Sequence, residues 1–319
     1  MAERIRGVLP PRSAERDWPR MDPPNVLWFF GAFAIGFGTY VLISTIPDSQ
    51  NGLWIFLVAI GFLLGFEFVS VALLRAGWWV PGGLAAALAV ASFPAVCVGF
   101  LQLIDVWPAD PFFDPLQDFS GYPFAVAVAT AIFGLAVFFV TRFSFLFFVV
   151  VAALLLASQF LVPVFEDPPS GEARATTALV AGALVVVGGV FLDAFGRRRD
   201  AFWFHALGWL SVAAGLVFFA TEPGGDPERG LVPMLIVSLL MLMAAGPMRR
   251  ATWAVYGVFG FYASIVYYLA QGLNEDRWPF ALLLLAVGLA IFLQGMLVHR
   301  YARVWAARFV RRPPPTIGP

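Results

Sequence analysis

Apolar residues run along this chain in long blocks, and polar residues gather in the short breaks between them. Neither the alternation of a half-buried strand nor the one-sided stripe of a water-facing helix dominates the pattern. A bilayer core of about 30 Å needs about 20 apolar residues at ~1.5 Å rise each. Ten blocks reach or approach that length: 25–46, 53–74, 78–104, 121–141, 143–164, 175–196, 201–220, 231–247, 251–271 and 278–299. The pattern predicts an all-α fold, a polytopic transmembrane helical bundle of about ten spans. Residues 1–24 read as a polar cytoplasmic tail, 25–299 as the transmembrane domain, and 300–319 as a basic amphipathic cytoplasmic tail.

The breaks alternate in charge. One set collects the tail arginines, Arg75, Arg142, the run Arg197-Arg198-Arg199, the pair Arg249-Arg250 and the C-terminal cluster, 17 of the 20 basic residues. The other set holds only Arg174, Arg229 and Arg277, together with most of the acidic residues. Because arginine-rich loops stay in the cytoplasm, this alternation predicts N-in and C-in. Trp28, Trp54, Trp78, Trp107, Trp203 and Trp253 fall near block ends, where amphipathic rings settle at the interface. No short apolar region with a cleavage site precedes Asn25, so no cleaved signal peptide is expected. All basic residues are arginine, as in a GC-rich genome, and the expected location is the bacterial cytoplasmic (inner) membrane.

Composition agrees: 61% hydrophobic and 13% charged residues, with a mean hydropathy of +0.83, leave no room for a sizeable soluble domain. The single cysteine, Cys97, excludes an intrachain disulfide and a cysteine-rich metal site. Bis-histidine haem ligation would need both histidines, His205 and His299, and His299 falls in the basic cytoplasmic tail, so no cofactor is expected. The motifs of serine hydrolases, zinc proteases, P-loop enzymes and dinucleotide-binding proteins are absent from the sequence, which argues against an enzyme. The aspartates Asp110, Asp114 and Asp118 have the spacing of one magnesium–diphosphate motif. They stand alone, among prolines and on the expected outer side, and read as a solvated acidic loop.

An ionisable residue inside a span is a candidate functional site. Three qualify: Glu67, Asp193 and His205. Glu67 has no local basic partner nearer than Arg75, so its carboxyl is expected to be neutral or to bond across helices. Asp193 has Arg197 four residues on, the spacing of a helix-end ion pair. His205, one turn into its span, can donate to a neighbouring carbonyl. Together the three suggest a coupling or substrate site for a proton or cation; separately they read as structural bonds. Gln102, Gln159, Gln271 and Gln294 read as interhelical glue. Gly61 and Gly65 form GxxxG, and Gly31, Gly36 and Gly38 line the first span, so close helix contact is expected at both. Pro81, Pro94 and Pro233 are candidate helix breaks, Pro94 foremost. Beyond the last span, Tyr301, Trp305 and Phe309 share one helical face, while Arg300, Arg303, Arg308, Arg311 and Arg312 supply charge for anionic inner-leaflet lipids.

Two stretches, Arg199-Asp200-Ala201-Phe202-Trp203-Phe204-His205-Ala206-Leu207-Gly208 and Gly288-Leu289-Ala290-Ile291-Phe292-Leu293-Gln294, resemble an uncharacterised family of bacterial multi-pass membrane proteins. The resemblance covers mainly the C-terminal third and implies no activity. In size and topology the chain is also similar to drug/metabolite-type transporters, whose ten spans form two inverted halves, a likeness at the level of fold alone. The leading expectation is a small-solute permease with Glu67 as its proton- or cation-coupling carboxylate, and the alternative a non-catalytic membrane scaffold or accessory subunit. The topology is directly testable. Alkaline phosphatase fused after Asp118 should be active and fused after Arg199 inactive; equal activity at both would overturn the alternation.

Overall fold

The computed structural model describes residues 23–46, 52–108, 114–116, 118, 121–222, 225–248 and 250–272, with seven isolated positions between 282 and 296. Among these residues all regular structure is helical: α1 (Pro23–Ser44), α2 (Leu53–Arg75), α3 (Trp79–Leu103), α4 (Gly121–Thr141), α5 (Leu146–Phe160), the short α6 (Val162–Phe165), α7 (Gly171–Ala194), α8 (Arg198–Thr221), α9 (Glu228–Met248) and α10 (Ala251–Gly272). Eight helical segments have the length and apolar character to cross a membrane: α1 to α4, α5 continued by α6, α7, α8, and α9. The ninth expected block, 251–271, is the helix α10, which is not among those eight. The tenth, 278–299, and the basic tail lie outside the described residues apart from those isolated positions.

The turns explain where helices stop. After α2, Gly77 takes a left-handed φ of 83°. Its N–H bonds to the Leu74 carbonyl at 3.1 Å, while the Trp78 N–H reaches back to Leu73 at 2.9 Å. That is a Schellman end, which satisfies carbonyls the helix would leave orphaned. Gly196 closes α7 in the same way, at φ 76°, with Arg197 N–H on the Leu192 carbonyl at 2.8 Å. Arg142 ends α4 at φ 58° without being glycine, and its guanidinium lies 5.4 Å from the Phe139 ring centre. The Ser170 side chain caps α7 by accepting from the Ala173 N–H at 3.1 Å.

The chain divides into two compact units, Met1–Phe218 and Phe219–Pro319. In the first, the core is aromatic and aliphatic. Leu84 and Val90 of α3 meet Phe138 of α4 and Leu146 and Val150 of α5, all buried. Phe145, in the α4–α5 turn, is the hub of a ring cluster, 5.2 Å from Phe29 of α1, 5.2 Å from Phe148 and 4.9 Å from Trp203 of α8. Such offset and edge contacts add stability beyond area buried. In the second unit α9 packs on α10, where the Ser264 hydroxyl faces the Leu231 carbonyl at 3.3 Å across the helices and the Gly260 carbonyl at 3.0 Å.

Two expectations about packing are corrected. The helix α3 runs unbroken through Pro94. Two residues before the proline, the Ser92 hydroxyl donates to the Leu88 carbonyl at 2.9 Å within the same helix. Among the described residues a Cβ at Gly61 or Gly65 of α2 would have no neighbour within 4 Å, and the same holds at Gly31 and Gly38, whereas at Gly36 it would stand 3.1 Å from Leu88 Cδ2. Close contact occurs instead at Gly182 and Gly208, where α7 and α8 touch backbone to backbone. A Cβ on Gly182 would stand 2.7 Å from the Gly208 carbonyl oxygen. Gly208→Ala should therefore cost about 1–3 kcal/mol by overpacking, whereas Gly61→Ala should leave stability unchanged. Thermal unfolding of the two variants in the same detergent checks this, and equal losses would contradict it.

Candidate functional site

The α7–α8 pair carries the site. On α7, Gly182, Val186, Gly189 and Asp193 recur at helical spacing on one face; on α8, Ala201, His205, Gly208, Val212 and Gly215 do the same. Glycine at 182 and 208 brings the two backbones together. Nearer the turn, glycine at 189 makes room for an imidazole: a Cβ there would lie 2.9 Å from His205 Cε1 and 3.1 Å from Nδ1. One turn further along α7, the Asp193 carboxylate reaches the same ring. His205 Nε2 and Asp193 Oδ2 are 3.0 Å apart, with the His205 side chain 0% and that of Asp193 14% exposed. With Asp193 ionised, Nε2 carries the proton and donates it.

A second polar group flanks the first at the same end of the helices. The Arg197 Nη2 and Nε stand 2.7 and 2.8 Å from Asp200 Oδ2. The other Asp200 oxygen accepts from the Ser144 hydroxyl at 2.7 Å, which ties the start of α8 to the α4–α5 turn. Above this pair, the Arg197 guanidinium lies 5.3 Å from the ring centre of Phe138 and 5.8 Å from that of Phe147. Those rings line the cation's apolar side, as cation–π geometry favours. Asp200 also sits in the first turn of α8, where its charge suits the helix dipole.

Of the three residues singled out from the sequence, the structure brings two together. Asp193 and His205 form the buried pair. Glu67 is half-buried on α2, and among the described residues it has no hydrogen bond or ion pair with either. The expected Asp193–Arg197 pair is replaced by Arg197–Asp200. The i, i+4 argument requires one continuous helix, but α7 ends at Ala194 and the left-handed Gly196 turns the chain before Arg197. His205 meets a carboxylate through Nε2. Ser144 and Asp200 were missed, although an acid directly behind three arginines was a usable signal for Asp200. Ser144, 56 residues away, had none.

A histidine and a carboxylate in contact can share one proton between a neutral and an ionic form, which is the chemistry this arrangement offers. Among the described residues no group of three or more His, Cys, Asp or Glu is arranged to hold a metal ion. Comparison with protein-family models, with curated proteins and with solved structures returns no match.

A double-mutant cycle measures the coupling. Asp193→Asn and His205→Gln should each lower unfolding stability by about 1–3 kcal/mol, because each leaves a buried polar group poorly matched. The double variant should lose less than the sum, by about 0.5–3 kcal/mol. Strict additivity would mean that the two side chains do not act on each other.

Proposed function

We propose that this integral membrane protein is a small-solute permease of the bacterial inner membrane whose coupling proton or cation is held at Asp193 and His205. In this reading it has ten spans with both termini in the cytoplasm. The observation that supports it most is the His205–Asp193 contact itself: two titratable groups in lipid-embedded helices, one of them fully enclosed. Intramembrane charge is costly and tends to mark ion pathways and proton relays. A pair of this kind is not needed for stability, since well-packed apolar residues of similar volume often do as well. The arginine alternation puts the α7–α8 turn on the cytoplasmic side, so the pair would exchange protons with that face. Glu67, on a helix whose arginine end faces the same way, is the second carboxylate of this reading. Arg300, Arg303, Arg308, Arg311 and Arg312 would rest on anionic inner-leaflet lipids. Kinship with the uncharacterised multi-pass family belongs to the same proposal and adds no activity to it.

One observation favours the alternative of a non-catalytic scaffold or accessory subunit. The centre of the first unit, from Leu84 through Phe138 to Leu146, is filled with apolar side chains rather than with the polar groups expected along a solute path.

A thermal-shift panel of solutes and ions in lipid nanodiscs, run over about pH 5–8 where histidine changes charge, separates the readings. A ligand at 100 times its Kd should stabilise by about 2.7 kcal/mol. The permease reading expects a pH-dependent shift that Asp193→Asn abolishes, and Glu67→Gln reports whether the second carboxylate takes part. A shift untouched by Asp193→Asn would remove the pair from the mechanism. No shift across the panel would favour the scaffold.

A further inference from the structure

A cavity of about 370 Å³ lies within the first unit, between α1, α2 and α3. It exists because small residues meet there. Gly36 of α1 and Ala91, Ser92 and Ala95 of α3 all line it, and a Cβ added at Gly36 would stand 3.1 Å from Leu88 Cδ2. Pro94 lines it as well; its ring lacks the N–H that would otherwise bond to the Val90 carbonyl.

The wall selects by chemistry. Among the described residues no arginine, histidine or carboxylate lines it. The Ser92 hydroxyl donates to the Leu88 carbonyl at 2.9 Å, and the Ser44 hydroxyl to the Val41 carbonyl at 2.8 Å. Those two donors are used within their own helices, and apart from the Thr39 and Tyr40 hydroxyls the rest of the described lining is apolar, so a charged or strongly hydrated solute entering here would lose its water for little return. An apolar ligand loses nothing comparable. Apolar cavities of even ~150 Å³ stay dry and take up benzene, and 370 Å³ falls in the ~300–1,000 Å³ range of small-molecule sites.

The mouth identifies the ligand's source. Tyr40 lines the cavity and is 70% exposed, on the same helix that turns Phe33 and Phe37 outward. The opening thus continues into a surface that only hydrocarbon suits. We propose that this cavity binds one acyl chain of a bilayer phospholipid, which enters laterally past Tyr40 and packs its alkyl segment against Gly36, Leu88 and Ala95. The site is separate from the His205–Asp193 pair, and the proposal stands whether or not the protein moves a solute.

Photolabelling tests it without any transport assay. The full chain would be placed in nanodiscs of phosphatidylcholine carrying a diazirine in the acyl chain, illuminated, and mapped by peptide mass spectrometry. Labelling of 88–98 should exceed, per residue, that around the outward-facing Ile132 and Phe139 of α4 by about tenfold, a preference of ~1.4 kcal/mol. Ala95→Phe, and independently Ala91→Leu, fill the space and should return 88–98 to the α4 level. Equal labelling of the two regions in the unmodified protein, or a signal that survives both substitutions, would overturn the proposal. Should both variants unfold, the comparison within the unmodified protein decides alone.

Discussion

Hydrocarbon offers no partner to a free peptide group, so each span has to close its own backbone hydrogen bonds, and the rest of the architecture follows from that demand. It makes the described chain helical, and it makes the helix ends the places where sequence choice matters. Gly77 and Gly196 satisfy it by turning left-handed and folding the last carbonyls back on the chain. Two buried hydroxyls of α4 obey it too. Thr130 donates to the Val126 carbonyl at 2.7 Å and Thr141 to the Val137 carbonyl at 3.0 Å, so neither stands unmatched among apolar neighbours. Once the backbone is satisfied internally, helices are held together by shape. Glycine at 182 and 208 brings α7 and α8 close, and Phe145 joins α1, α5 and α8 through its ring contacts.

Much of this was legible because hydropathy measures the stretch that lies in hydrocarbon. The block 121–141 coincides with Gly121–Thr141, and 53–74 falls one residue short of Leu53–Arg75. Hydropathy does not see a helix that continues beyond the hydrocarbon. The helix α7 begins at Gly171 rather than 175, since Ser170 caps it and Glu172 and Arg174 are part of its first turn. The helix α8 likewise begins at Arg198, among the arginines read as a loop. The fifth block fails for the opposite reason. Phe143 and Phe145 are apolar, but Arg142 has turned the chain and regular helix resumes only at Leu146.

The site was legible as a composition and not as a geometry. Asp193 and His205 stood out because charge is rare in these spans, and rarity needs no structure to be noticed. Their contact depends on Gly189, an unremarkable glycine among 30, which leaves the space that His205 fills. The same limit explains the glycine motifs. Gly61 and Gly65 match a known spacing on one helix and meet no neighbour among the described residues, whereas Gly182 and Gly208 lie on different helices and share no pattern along the chain. A spacing rule describes one surface; contact requires two. Asp200 shows the same point for charge. Its choice of Arg197 was set by the turn at Gly196 rather than by distance along the sequence.

The bond from Ser144 to Asp200 has a consequence in time. Helix pairs such as α2–α3 and α4–α5 pack against chain neighbours and can assemble as each pair leaves the ribosome. Asp200 follows Ser144 by 56 residues, which at ~5–20 residues per second is roughly 3–11 s of synthesis. Through that interval the α4–α5 turn lacks its Asp200 partner, and Phe145 lacks Trp203, which comes still later. The arrival of α8 completes both contacts together, so the first unit is locked at this end of its helices as one late event in its biogenesis.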